Sequence, residues 1–321
     1  MSVYDPYRSE LLSKAQLREL NELRPWIAVK DTFISWTIIV ACWAYVYFFT
    51  HWYNVLLVIP IIGCQLYALM ILAHDGLHRR LFSTIKMNDL WCDVFLLGPI
   101  LAVTRINRNN HINHHQRLST PQDPDRYKYQ STNKSTVIDL FLFLTGVSTF
   151  FKTIYNVFFA KRKSTGQVKK EQGYSLANLL IVILWQILLL GGLTWFFGWW
   201  GYIALFAFPF YVFAYLADTI RVFCEHSQPE IDTEETDKKR LITVTSNWLE
   251  RQFFAPHNMN LHMPHHLWPS IPYYNLPEAD RLIQKSPLRD DRLIWRNSYI
   301  EYILTYLKWL LQNKQKIENH A

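Results

Sequence analysis

Eight of the twelve histidines in this chain fall into three tight groups. His74 and His78 lie in HDGLH, His111, His114 and His115 in HINHH, and His262, His265 and His266 in HMPHH. Residues three and four apart share one face of a helix, so each group can present its rings together. His226 in RVFCEHS and His257 at the start of HNMNLH bring the set to ten. Neutral imidazole suits zinc, copper, iron and nickel. A single zinc takes about four ligands, so eight to ten convergent rings point to two ions. Asp75 sits inside the first group, Asp123 and Asp125 follow the second in TPQDPDRY, and Glu225 precedes His226. Such carboxylates can accept the free ring N–H of a ligating histidine and orient it; Asp-Pro-Asp is equally a plain turn sequence. Pro264 lacks an N–H and belongs in the first turn of its helix, with Asn260 placed to cap it.

The elements that must position these rings are apolar. Half of the 321 residues are hydrophobic and only 18% are charged, against a usual charged share of about 25%. Residues 54–73 and 176–197 contain no charge at all, and a bilayer core of about 30 Å is crossed by roughly twenty apolar residues. The sequence predicts an all-α integral membrane protein with spanning helices over 32–49, 54–73, 176–197 and 199–217. They form two hairpins of one domain covering 1–321. Trp52, Tyr53, Trp199, Trp200 and Tyr202 mark the hairpin links, where an aromatic belt belongs. Two shorter or interrupted stretches, 91–103 and 137–159 (which carries Lys152), are expected as interfacial or re-entrant helices.

Charge sets the expected orientation. All 33 Lys and Arg lie in residues 1–30, 74–175 and 218–321, and the hairpin links have none. The positive-inside rule puts both termini and a histidine-rich cap, built from 74–175 and 218–321, on the cytoplasmic side. Every histidine except His51 and His320 then emerges at that one face. The net charge of +7 is a property of the same face, suited to anionic headgroups or an acidic protein. No cleavable leader is read in the polar first thirty residues. Cys42, Cys64, Cys92 and Cys224 form no CxxC pair, so neither a disulfide framework nor a cysteine zinc site is indicated.

The three boxes, with the segments AHDGLHRRLF, NHINHH trailing DPDRY, and HNMNLHMPHHLWPSIPYYNLPEA, resemble those of the integral-membrane fatty acid desaturase superfamily. That superfamily includes related hydroxylases and carotenoid ketolases, and the resemblance extends over roughly residues 32–285. It implies a non-haem di-iron centre, two Fe per chain, at which dioxygen oxidises a C–H bond of a hydrocarbon chain, normally to a double bond. Carried over by position, His74, His78, His111, His114, His115, His262, His265 and His266 would be iron ligands, with His226 the further ligand found between the second and third boxes. His257 would be a ligand, a ring-orienting donor or a loop-shaping residue. Asp75, Asp125 and Glu225 would orient ligating rings. Val222 stands where the acyl-CoA branch has an asparagine, the third box is HxxHH rather than QxxHH, and no HPGG haem motif occurs. Electrons would therefore come from a separate protein, a ferredoxin or a cytochrome b5.

The expected activity is desaturation of a fatty acyl chain, with hydroxylation or ketolation of a carotenoid or another small hydrophobic molecule as the alternative. Trp185, Trp195, Phe206, Phe208, Tyr211, Phe213 and Tyr215 are candidates to line a substrate tunnel, against the plainer reading of lipid-facing and packing residues. The expected partners are a lipid or other hydrophobic substrate, the electron donor and the membrane, with no nucleic acid. A zinc protease lacks its HExxH. A metal transporter would need polar or acidic groups at mid-membrane, where these two segments offer only Gln65, Asn178 and Gln186.

Overall fold

The computed structural model describes residues 4–148, Phe151 and residues 175–318. The described chain is mostly helical, and four of its helices are long and apolar enough to cross a membrane. The first runs Pro25–Phe48, beginning seven residues before the expected start at 32. Proline at the first helical position loses no hydrogen bond, so the helix starts there; the charges of Lys30 and Asp31 mark where its apolar part begins, not where it begins. The second runs Trp52–Leu77 and passes the expected end at 73, carrying His74 on its last turn with His78 as its cap. Asn54 closes the link before it, donating to the Phe49 carbonyl (2.9 Å) and accepting from the Tyr45 hydroxyl (3.0 Å).

The third helix, Leu176–Phe197, has the expected bounds, with Ser175 accepting from the Asn178 N–H and Gly198 at φ +77° ending it. The fourth runs Trp200–His226, nine residues beyond 217. Its last turns are amphipathic and buried from Thr219 to His226, which a search for apolar runs does not see. It contains π-helical turns at Ile203–Ala207 and Phe210–Ala214. Trp36 and Trp185 stack at 5.1 Å between the first and third helices, and the Trp43 indole donates to the Leu205 carbonyl of the fourth (3.0 Å).

The stretch 91–103 folds back among these helices as π-helix Cys92–Leu97 and a 3-10 turn Gly98–Ile100. Asn178 donates to Asp93, Trp185 to the Val94 carbonyl and Gln186 to the Pro99 carbonyl, at 2.6–2.8 Å. Leu176 to Gln186 is about 15 Å of helix, so the segment follows the third helix for roughly half a bilayer core. Of the stretch 137–159, Val137–Leu144 is a helix with a Thr136–Asp139 capping box. Lys152 and the rest of that stretch after 148, Phe151 apart, lie outside the described residues.

The remaining chain packs against the ends of these helices that carry histidine. It holds one departure from the all-α expectation: Leu241–Val244 and Leu293–Arg296 pair as parallel strands. The runs LITV and LIWR are β-prone, and the first is fully buried, but four residues fall below what an apolar pattern can separate from a short helix. The short N-terminal helices Asp5–Glu10 and Lys14–Leu20 lie beneath the third histidine group.

Candidate metal centre

The first box occupies the end of the second spanning helix, with the His74 and His78 ring centroids 5.6 Å apart. The second occupies helix Thr104–Arg117, whose start is fixed by Asp93 accepting from both the backbone N–H and the hydroxyl of Thr104. Arg108 clamps the two together, donating to the Leu77 (2.8 Å) and Gly76 (3.1 Å) carbonyls and pairing with Asp89. It thereby satisfies the Leu77 carbonyl, which the helix end leaves without an intrahelical partner, and joins Asn88 (2.8 Å) on that of Gly76. The third box forms helix His262–Leu267. Pro264 is in its first turn as expected. Asn260 does not cap that turn, because its side chain donates to the Val244 carbonyl and its own carbonyl accepts from Val244, tying the helix to the strand. Arg8 donates to the carbonyls of His266 (3.3 Å) and Leu267 (3.2 Å) at the far end.

Nine of the ten histidines meet, and they sort into two sets. The nitrogens of His74, His78, His111, His115 and His265 lie within 4.8 Å of one another, as do those of His114, His226 and His266. His262 joins the second set, with its Nε2 2.9 Å from Nε2 of both His226 and His266. The sorting divides each of the second and third boxes between its i,i+4 pair and its i+3 member: His111 and His115 stay together in the first set and His262 and His266 in the second, while His114 and His265 cross to the opposite sets. The His115 and His266 rings stack at 4.0 Å where the sets adjoin.

This donor set fits two transition-metal ions. The contacts His78–His111, His111–His115 and His115–His265 run Nε2 to Nε2 at 2.7–3.1 Å. Nitrogens about 2.1 Å from a shared ion and at right angles around it would be about 3.0 Å apart. Burial holds His111, His115, His262, His265 and His266 well below the usual imidazole range, and His78 down to about 3. These six rings are thus neutral, with a lone pair to give. Nδ1 of His74, His115, His265 and His266 is buried without a protein hydrogen bond among the described residues.

The groups that fix ring orientation differ in part from those expected. His114 donates from Nδ1 to Asp123 (2.9 Å) and His226 from Nδ1 to the Arg240 carbonyl (2.9 Å). Glu225 lies 3.3 Å from His262 Nδ1, itself held by Arg221 (2.9 Å) and the Tyr299 hydroxyl (2.8 Å). Asp125 faces Lys128 (3.3 Å) instead of a ring. Asp75 accepts the Tyr273 N–H (2.8 Å) and so ties the first box to the loop after the third. Asp125 and Asp75 are therefore supports at one remove. Asp123 was legible as one of two carboxylates in the DPD turn; the bonds by which Arg8, Arg108 and Arg240 reach the site carry no local signal, because they run to carbonyl oxygens of other elements.

His257 stands apart from both sets. Its ring meets Tyr273 (5.3 Å) and its Nδ1 is 3.7 Å from Asp31. Beside the sets lies a cavity of about 190 Å³ bordered by His74, His111, His114, His226 and His262. Met70, Ile71, Leu77, Leu97 and Val222 form its apolar side, and Asp125, Lys128, Asp218 and Arg221 its charged side. None of the aromatics offered for a tunnel lines it. Trp185 stacks on Trp36, Phe206 is in the core, and Trp195, Phe208 and Tyr211 are exposed as lipid-facing residues would be.

Residues 50–297 match the family described as fatty acid desaturase. The chain is 24% identical over 236 residues to an sn-1 acyl-lipid omega-3 desaturase (ferredoxin) of Nostoc sp. (strain 36), covering 69% of this chain and 65% of that protein. It is 25% identical to an sn-1 oleoyl-lipid 12-desaturase of Arthrospira platensis, over 70% of this chain and 67% of the relative. A dihydrorhizobitoxine desaturase of Bradyrhizobium elkanii is 24% identical over 88% and 82% of the two chains. The chain thus spans about two thirds of the length of the first two relatives. With the match covering most of its residues and all three histidine boxes, the chain belongs to the fatty acid desaturase family.

Proposed function

We propose that this protein is a membrane oxidoreductase that uses dioxygen and an external electron donor to place a double bond in a fatty acyl chain. The observation that carries the reading is the convergence of nine histidines, six of them buried and three half-buried, in two sets of five and four. The first set would hold one iron and the second another, with neutral ligands leaving both ions electron-poor. When bound, the two irons supply the oxidising power that an unactivated C–H bond requires and that no side-chain acid or base has.

The chain's own residues bind, orient and exclude water. Met70, Ile71, Leu97 and Val222 offer the acyl chain an apolar wall beside the rings. Asp123 and the Arg240 carbonyl keep the rings of His114 and His226 in place, and Glu225 stands 3.3 Å from Nδ1 of His262. In the overall balance a CH2–CH2 unit gives up two electrons and two protons. Two further electrons come from the donor and two protons from solution, and dioxygen leaves as two waters. The name of the Nostoc relative carries a ferredoxin, which supports a small redox protein, ferredoxin or cytochrome b5, as donor here.

In this reading the four long helices cross the membrane as two hairpins, and the chain acts as one domain. Its termini and the histidine centre sit on the cytoplasmic side, where every Lys and Arg falls. Acyl-lipid profiling of a host expressing the wild type beside His265→Ala tests the activity. A new double bond that the variant lacks supports it. Unchanged acyl chains with a new hydroxylated or keto product would move the assignment to the related oxidation of another hydrophobic molecule. Purified protein that binds no iron would sink both.

A further inference from the structure

A second polar cavity lies away from the histidine sets. It measures about 270 Å³ and is lined by Asp31, Ser35, Cys64, Gln65, Gln252 and His257, with Ile34, Ile38 and Ala68 as its apolar parts. Gln65 and His74 lie nine residues apart on the second spanning helix, about two and a half turns and 14 Å. They therefore point to opposite sides, and the cavity is no branch of the metal pocket.

Three observations show that its polar groups are built to meet a ligand. Of the polar residues within the two uncharged segments, Asn178 is bound by Asp93 and Gln186 by Tyr202 and the Pro99 carbonyl. Gln65 instead borders the cavity, with no side-chain hydrogen bond among the described residues. An amide left unpaired in an apolar helix is costly. The buried Nε2 of His257 likewise has no hydrogen-bond partner among the described residues. Finally, His257 and Asn258 both adopt left-handed backbone, at φ +54° and +59°. Such strain persists only where the surroundings enforce it; here the Asn258 side chain donates to the Tyr273 carbonyl (3.2 Å) and Tyr273 donates to Asp31 (2.6 Å).

The mouth and the charge identify the chemistry. Gln252 shares helix Trp248–Phe254 with Trp248 and Leu249, which are 66% and 57% exposed. These three residues lie within one turn, and an exposed Trp–Leu pair belongs at a membrane interface. Ile34, also exposed, stands at the cavity edge. The occupant therefore enters from lipid. No Lys or Arg lines the cavity, and the Asp31 carboxylate in its wall is answered by Lys30 at 3.1 Å. An anionic group is disfavoured there. The two amides, the Ser35 hydroxyl, a ring nitrogen and a carboxylate all match hydroxyl groups, which donate and accept. At about 30 Å³ per water-sized group, the volume suits a glycerol or a single sugar. We infer that this cavity, bordered by Asp31, Gln65, Gln252 and His257, is a second binding site that takes the neutral, hydroxyl-rich headgroup of a membrane lipid.

Cys64 reports on the site without engineering, because it borders the cavity while Cys42, Cys92 and Cys224 are buried. The experiment measures alkylation of Cys64 by a small maleimide, read by mass spectrometry on the full-length protein in detergent. A monoglycosyl diacylglycerol is compared with phosphatidylglycerol of the same chains. The glycolipid should slow labelling severalfold and phosphatidylglycerol should not. Gln65→Leu and Gln252→Leu should each lose the protection while eluting as wild type and retaining its iron content. Equal protection by both lipids would mean an ordinary lipid annulus, and no protection by either would mean a cavity that holds only water. Either result overturns the assignment, as would protection that survives Gln65→Leu. Iron content is read in the same samples, so failure of this site is separable from failure of the histidine centre.

Discussion

His114 donates its Nδ1–H to Asp123 at 2.9 Å, and the same carboxylate accepts the Tyr129 hydroxyl at 2.6 Å and the Asp125 N–H at 2.8 Å. One buried carboxylate thus fixes the only histidine that the second box sends to the second set. Partners of this kind carry about 10- to 100-fold in metal affinity. Asp123→Ala should lower affinity for one of two ions by that order and leave the other unchanged. Metal titration with iron or cobalt, following stoichiometry against concentration, checks it; equal weakening of both ions would count against the division into sets.

Gly76 separates the two histidines of the first box for a steric reason. A Cβ there would overlap Cys92 Sγ, with Leu81 Cδ1 next at 3.2 Å and the Cys92 Cβ at 3.7 Å. Gly76→Ala should therefore cost about 1–3 kcal/mol, as overpacking does, and reduce metal content. Cys92→Ala removes the clashing sulfur and should restore much of the loss in the double variant. Thermal unfolding of the four proteins gives the coupling directly, and additive losses would refute the contact.

Burial pushes His257 down to about 4 from an ordinary 6.5. The unfolded chain therefore takes up this proton first as pH falls. The stability concerned is fully present above pH 6.5 and is lost as pH drops from 6.5 to 4. Two and a half pKa units bound the effect at about 3 kcal/mol. His257→Gln should flatten the fall in melting temperature between pH 7.5 and pH 5 relative to wild type. Parallel curves for the two proteins would contradict the buried neutral ring.

Arg240 is fully enclosed and pairs with Asp232 (2.7 Å) and Asp237 (3.0 Å) while donating to the His226 carbonyl (3.1 Å). Removing one member of a buried ion network leaves the others uncompensated, at about 3–5 kcal/mol. Arg240→Leu should lower stability by that order and loosen the ion held through His226. Denaturant unfolding together with metal content tests both; a stable variant with normal affinity would show the network to be incidental.

Residue types at helical spacing, the apolar runs and the distribution of charge are all legible along the chain. Those local quantities sufficed for the three boxes, His226 and four long helices, because helical periodicity and the thickness of a bilayer are properties of short stretches of chain. Helix ends shifted where polar turns continued an apolar helix, as at Pro25 and His226. How nine histidines divide into sets of five and four is fixed by packing, since it depends on which faces of four separate helices meet. The same packing made Asp123, not Asp125, the group that holds a ring, and it made arginines 8 and 108 fasten boxes while Arg240 fastens His226. The bonds that do this run to carbonyl oxygens, which every residue carries and no sequence pattern distinguishes. His257 followed the same rule: spacing placed it five residues before the third box, but a left-handed backbone turned it toward Asp31 and a different cavity.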